Sequence, residues 1–180
     1  MNNLVLITGR QYSGRHKFCN QFGTQNRYSF VFPYTTRYIE DKRIRYASDN
    51  EFNNLCLNGD IISIADMGSY RHGIPKLNFN KNLVALIDIR MIYDIVRYAK
   101  DNMKIYVIVL DKSEKERYNK YIKLKDRDYH DHVLREDMED YLFSEEHMAE
   151  VENFLKENGA KFLTTDGKHD IMSLVNKKGE

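Results

Sequence analysis

The chain has 180 residues, 42% hydrophobic and 31% charged, with a formal net charge of +1. That suits one cored domain with a small subdomain, and so balanced a charge excludes the basic excess of a nucleic-acid binder. The opening MNNLVLIT has neither the basic start nor the long apolar stretch of a signal peptide, and no apolar run approaches the roughly 18 residues of a membrane span.

Residues 3–8 (NLVLIT) read as a buried strand, continuous, apolar and β-branched. Ser13 or Gly14 opens a helix that carries Phe18 and Phe22 on one face. Residues 28–32 (YSFVF) form a second strand, stopped by Pro33, and 43–47 a weak alternating one. SDNE at 48–51 is a capping box, with Ser48 closing the helix start and Glu51 reaching back. That helix ends near Gly59, and DIISIA at 60–65 follows as a strand. Residues 83–89 (LVALIDI) and 103–110 (MKIYVIVL) are buried strands around a helix at 90–100. SEKE at 113–116 is a second capping box. From about 130 to 158 the apolar residues Leu134, Met138, Tyr141, Met148, Val151 and Leu155 keep helical spacing, and Gly159 ends the run. KFLT at 161–164 is a last strand, and 169–177 a short closing helix.

Apolar strands alternating with helices give an α/β fold: a five-stranded parallel sheet with helices on both faces. The weaker strands at 43–47 and 60–65 read as a small antiparallel insert between the second and third core strands. Cys19 and Cys56 stand apart and read as reduced thiols of a cytoplasmic protein.

The loop after the first strand carries the chemistry. Gly9 and Gly14 have the spacing of G-x-x-x-x-G-K-[ST], but Arg15 and His16 follow. Such a loop collects backbone N–H groups at a helix N-terminus and binds phosphate. Arg15 keeps a positive charge on a bulkier planar fork. His16 is a poor Mg2+ ligand, since Mg2+ prefers oxygen. Lys17 comes one position late. Gly9, Ser13, Gly14, Arg15, His16 and Lys17 are therefore the candidate cofactor-binding set. A plain glycine-containing turn would show the same two glycines.

PYTTRYIE (33–40), YASDNEFNNLCLNGDII (46–62), GSYRHGIP (68–75) and LIDIR (86–90) follow one another in the order and spacing of guanylate kinases. From residue 4 to the final helix the chain resembles that family, including its degenerate scaffold relatives. The resemblance implies a core at 1–33 and 81–180, a monophosphate-binding insert at 34–80 and a basic helical lid at about 115–135. It implies ATP and Mg2+ as cofactors. Arg37 falls on the arginine that grips the acceptor phosphate. Asp88 falls at the end of a core strand, positioned to orient a Mg2+-bound water or the loop cation. Lys120, Lys123, Lys125, Arg127 and Arg135 are candidate lid cations, though a solvated helix face would look alike. Arg15, Arg37, Asp88, Arg127 and Arg135 make the catalytic candidates.

Beyond Arg15 and His16 in the loop, further departures from the family pattern fall in the acceptor site. Glu40 stands where a second phosphate-binding arginine is expected, with Lys42 and Arg43 nearby, and Pro33 replaces a serine. Ile44 replaces a phosphate-gripping tyrosine, leaving Tyr46 as a substitute. Ser63 stands where a glutamate reads guanine, and Arg90 where an aspartate does. Tyr70 and His72 occupy the tyrosine turn. Arg37, Tyr46, Ser63, Tyr70 and His72 are the candidate substrate-binding set. Two classes follow. One is a divergent kinase moving the ATP γ-phosphoryl group to a nucleoside monophosphate or other small phosphorylated acceptor. The other is a degenerate module that binds nucleotide or a protein partner without turnover. Neither nucleic acid nor membrane is an expected partner. His130, His132 and His147 have no third ligand in register and read as solvated histidines rather than a metal site.

Overall fold

The structure is a computed structural model that describes residues 1–123, 129–167 and 175, without the side chains of 129–135. Its frame is a five-stranded sheet built from β1 (Asn2–Gly9), β2 (Ser29–Phe30), β7 (Leu83–Leu86), β8 (Met103–Leu110) and β9 (Lys161–Thr165), in the order β2-β7-β1-β8-β9. Every pairing in it is parallel. This is the five-stranded parallel sheet that the apolar runs predict.

Successive side chains on a strand point to opposite faces, and here each face has its own core. Val5, Ile7, Val84, Tyr106, Ile108 and Leu110 pack on one side with Cys19 and Phe22 of α1 (Arg15–Gln25). Leu4, Leu6, Leu83, Ala85, Ile105 and Val107 pack on the other with α3 (Ile92–Ala99) and α6 (Glu145–Glu157). α3 supplies Ile92, Ile95, Val96 and Ala99, and α6 supplies Val151 and Leu155.

A second, four-stranded sheet lies between β2 and β7 in the chain. It joins β3 (Tyr34–Thr35), β4 (Arg45–Tyr46), β5 (Ile61–Asp66) and β6 (Arg71–Pro75) in the order β4-β3-β6-β5. β6 runs antiparallel to both β3 and β5, whereas β3 and β4 are parallel. The parallel pair arises because the chain swings out through residues 36–44 and re-enters in the same direction. α2 (Asp49–Leu57) covers this sheet and starts at the expected capping box, with both Ser48 and Glu51 bonds formed. Ala65 and Ile74 belong to the larger core, so the insert rests directly on the α3 side of the main sheet.

The apolar pattern over 130–158 is not one helix. α5 (Tyr129–Leu142) ends and α6 begins at a new cap, where Ser144 accepts the His147 N–H at 3.2 Å. The spacing carries across the break because Met138 and Leu142 of α5 pack in the same core as Met148, Val151 and Leu155 of α6, although Tyr141, expected in that stripe, is exposed. α4 (Glu114–Lys123) starts at the second expected box, with the Ser113 hydroxyl accepting from Glu116 N at 3.4 Å and donating to its carboxylate at 3.0 Å. The closing helix expected at 169–177 lies outside the described residues save Val175. No helix among the described residues is long and apolar enough to cross a membrane.

Candidate functional site

The first crossover of a parallel sheet leaves the loop after β1 at the carboxyl ends of the strands, beside the segments that leave both neighbouring strands. β1 lies between β7 and β8, so the loop at 10–14 meets Asp88 on one side and Lys112 on the other. Two glycines shape it. Gly9 has φ +152, and a Cβ there would meet Leu110 O at 2.6 Å, because strand β8 closes directly over the turn. Gly14 caps α1 with φ +90, a left-handed conformation that a side chain would strain. Tyr12 holds a positive φ of 60 between them and packs its ring on Tyr121 of α4 at 5.6 Å.

Arg15 donates through one terminal nitrogen to Gly9 O, back into its own turn. His16 and Lys17 lie exposed on the first turn of α1. Ser13 is fully buried, and its hydroxyl has no hydrogen-bond partner among the described residues. From the other side the Glu139 carboxylate of α5 accepts the Gln11 N–H with both oxygens, at 2.8 and 3.0 Å. Burial pushes the Glu139 carboxyl up, against the Gln11 hydrogen bond and the charges of Arg15, Arg117 and Arg10.

Two basic residues not in the expected cofactor-binding set stand over Gly14. A Cβ at Gly14 would lie 3.8 Å from Lys112 Nζ and equally far from Lys120 Nζ. Burial, then the charges of Lys112 and Lys17, lower the Lys120 pKa, so the three ammonium groups share one field. Lys120 is visible in the sequence as a lid cation. Lys112 carries no motif. Only the pairing of β1 with β8 brings it to the loop.

Asp88 N-caps a 3-10 turn at Ile89–Met91. Arg90 holds its carboxylate with two hydrogen bonds, Nε to Oδ1 at 2.8 Å and a terminal nitrogen to Oδ2 at 3.1 Å. Desolvation by burial raises the Asp88 pKa, but the Arg90 hydrogen bonds and charge, with Arg15 beyond, hold it below the usual carboxylate range. Arg90 also donates to Asp66 O at 2.9 Å, tying the insert to the strand end.

A single cleft of about 970 Å³ runs from the loop to the insert. Gly14, Arg15, His16, Lys17, Arg37, Tyr70, His72 and Asp88 all line it. Arg37 lies over the Tyr70 ring at 5.4 Å, and Tyr70 meets His72 edge-on at 5.1 Å. Two expected substrate residues are elsewhere. Ser63 is buried and donates to Asp94 Oδ2 at 3.0 Å. Tyr46 is exposed on β4 against Tyr38, and it is Tyr38 that lines the cleft. Glu40 is exposed, while Arg43 lines the cleft with Asp41, which it holds at 2.6 and 2.8 Å and keeps down at a pKa of about 2. Burial pushes the Cys19 thiol up to about 12 and keeps it protonated, against the Arg43 charge. Arg127 and Lys125 lie outside the described residues, and Arg135 sits in α5 with its side chain outside them. His147 is partly covered and faces Glu150 at 3.5 Å.

The donors present do not suit Mg2+. It needs several oxygens in a near-octahedral shell. Here an imidazole replaces the loop hydroxyl, the Ser13 hydroxyl is buried in the turn and Asp88 is taken by Arg90. Among the described residues no three His, Cys, Asp or Glu side chains converge as a ligand set.

The chain is similar in structure to a guanylate kinase from Anaplasma phagocytophilum, with a TM-score of 0.51 over 87% of this chain and 94% of that one, at 15% identity. The likeness is one of fold, and it fits the expected architecture: a parallel sheet with a small second sheet inserted. No protein-family model matches the sequence, and no curated protein matches it.

Proposed function

We propose that the chain is a nucleotide-binding, kinase-type protein. The loop at 9–17 holds the phosphates of ATP. Arg37 holds a phosphorylated acceptor against the insert. An acceptor oxygen attacks the γ-phosphorus, the bond to the β-phosphate oxygen breaks and ADP leaves. The supporting observation is the single cleft, which the phosphate loop and Arg37 line together. Phosphoryl transfer asks a protein chiefly for positioning and for positive charge around the moving group, and the cleft is rich in arginine and lysine. The acceptor need not carry guanine. Ser63 turns to Asp94 and Arg90 to Asp88, so neither position offers a carboxylate to the guanine N–H groups.

The test is ADP release from ATP against a panel of nucleoside monophosphates and small phosphate esters. Arg37→Ala should raise the KM for the productive acceptor about tenfold or more, the loss of one charge-assisted contact, and leave ATP affinity unchanged. A variant with unaltered KM would remove Arg37 from the acceptor site. A second reading, binding without turnover, is favoured by the engagement of Asp88 by Arg90 and of Arg15 by Gly9 O. It expects an ATP complex and no ADP with any acceptor.

A further inference from the structure

We propose that the loop binds nucleotide phosphates without a divalent cation, and that Lys17, Lys112 and Lys120 supply the neutralising charge in its place. This rests on the reading of the loop as a nucleotide-phosphate site, and it holds with or without turnover.

Three separate segments contribute the lysines: the first turn of α1, the exit of β8 and helix α4. Two of the ammonium groups lie 3.8 Å from the point where a Gly14 Cβ would sit, over the N-terminus of α1. None of the three lysines makes an ion pair or hydrogen bond with a described residue, although carboxylates are frequent in the chain and neighbouring cations are paired. Like charges gathered without a counter-charge among the described residues repel one another, and the Lys120 pKa is lowered first by partial burial and then by the charges of Lys112 and Lys17. An anion placed among them reverses the sign of the interaction.

The same geometry opposes a metal. A divalent cation brought to the loop would meet this lysine field and Arg15, and would find an imidazole and a carboxylate already clamped. A polyphosphate that arrives with bound Mg2+ has also lost two negative charges that the lysines would otherwise attract.

The experiment is calorimetric titration of the intact protein with ATP and, separately, inorganic tripolyphosphate, each in EDTA and in millimolar Mg2+. Both ligands are expected to bind as tightly in EDTA as in Mg2+, or tighter. In EDTA, Lys112→Ala and Lys120→Ala should each weaken tripolyphosphate about tenfold, and added salt should weaken it further. Both substitutions are made on side chains without an ion pair or hydrogen bond among the described residues, and melting curves matching the parent establish that the fold is intact. Binding at least tenfold tighter in Mg2+ than in EDTA overturns the inference and leaves the nucleotide reading standing. So does parent-like affinity in both lysine variants. No binding of either ligand under either condition overturns the nucleotide reading itself, and this inference with it.

Discussion

Arg90→Leu tests whether the arginine beyond β7 is a structural clamp. Its guanidinium makes two hydrogen bonds to Asp88, at 2.8 and 3.1 Å, and one to Asp66 O at 2.9 Å. Leucine keeps part of the apolar volume and none of these bonds. A hydrogen bond to a charged group contributes about 1.5–3 kcal/mol net. The side chains are 27% and 17% exposed, so water reaches the pair and the roughly 3–5 kcal/mol of a fully buried broken pair is too much. Asp88 also retains the Arg90 backbone N–H at 3.0 Å. The expected loss is about 2–3 kcal/mol, or roughly 4–12 °C in Tm for a domain of this size. Urea and thermal denaturation of Arg90→Leu, Asp88→Asn and the double variant measure it. The double variant should lose less than the two single losses combined by ~1 kcal/mol or more, because the partners are in contact. The pH dependence has a definite sign. Asp88 has a lowered folded pKa, so its contribution is present above the ordinary carboxylate value of about 4 and fades as pH falls through the folded value. In Arg90→Leu that acid-side loss should shrink. A variant melting within about 1 °C of the parent, or strictly additive losses, would refute the clamp.

Glu139→Ala should lose about 1–3 kcal/mol, since the Gln11 N–H is left buried without its acceptor, whereas Glu139→Gln keeps an acceptor and should stay within ~1 kcal/mol at neutral pH. Burial raises the Glu139 pKa, so its stabilising contribution is full below the unfolded carboxylate value and declines as pH rises through the folded one. The glutamine variant should lack that decline, and equal losses for alanine and glutamine by urea denaturation would count against the hydrogen bond. Gly14→Ala should lower stability by about 1–2 kcal/mol through its φ of +90 rather than through a clash, because the nearest atoms to a Cβ are 3.8 Å away. An unchanged melting temperature would show that the turn relaxes.

The main sheet was legible because its longer strands are apolar runs with no competing reading, and burial on both faces demands such runs. The insert was harder. β3 is two residues long, and β6 reads RHGIP, with no alternation to mark it. The break between α5 and α6 is invisible to apolar spacing and visible only in the cap at Ser144. In the site, the sequence shows an arginine at 90 but not its target. A 3-10 turn folds Arg90 back on Asp88, two residues away, so that the arginine standing where the resemblance expects a carboxylate also pairs with the neighbouring one. Lys112 is the reverse case, an unremarked residue that becomes part of the site only because β8 pairs with β1. These changes act in one direction. An imidazole at 16 and a paired Asp88 leave few free oxygen ligands, while Lys112, Lys120 and Lys17 put positive charge beside the same turn. Among the described residues these cations have no carboxylate partner, the arrangement expected of a loop that takes an anion under the proposal above. Like charges so gathered cost the protein stability, and under the proposal an anion in the loop offsets that cost, so added tripolyphosphate should raise the melting temperature.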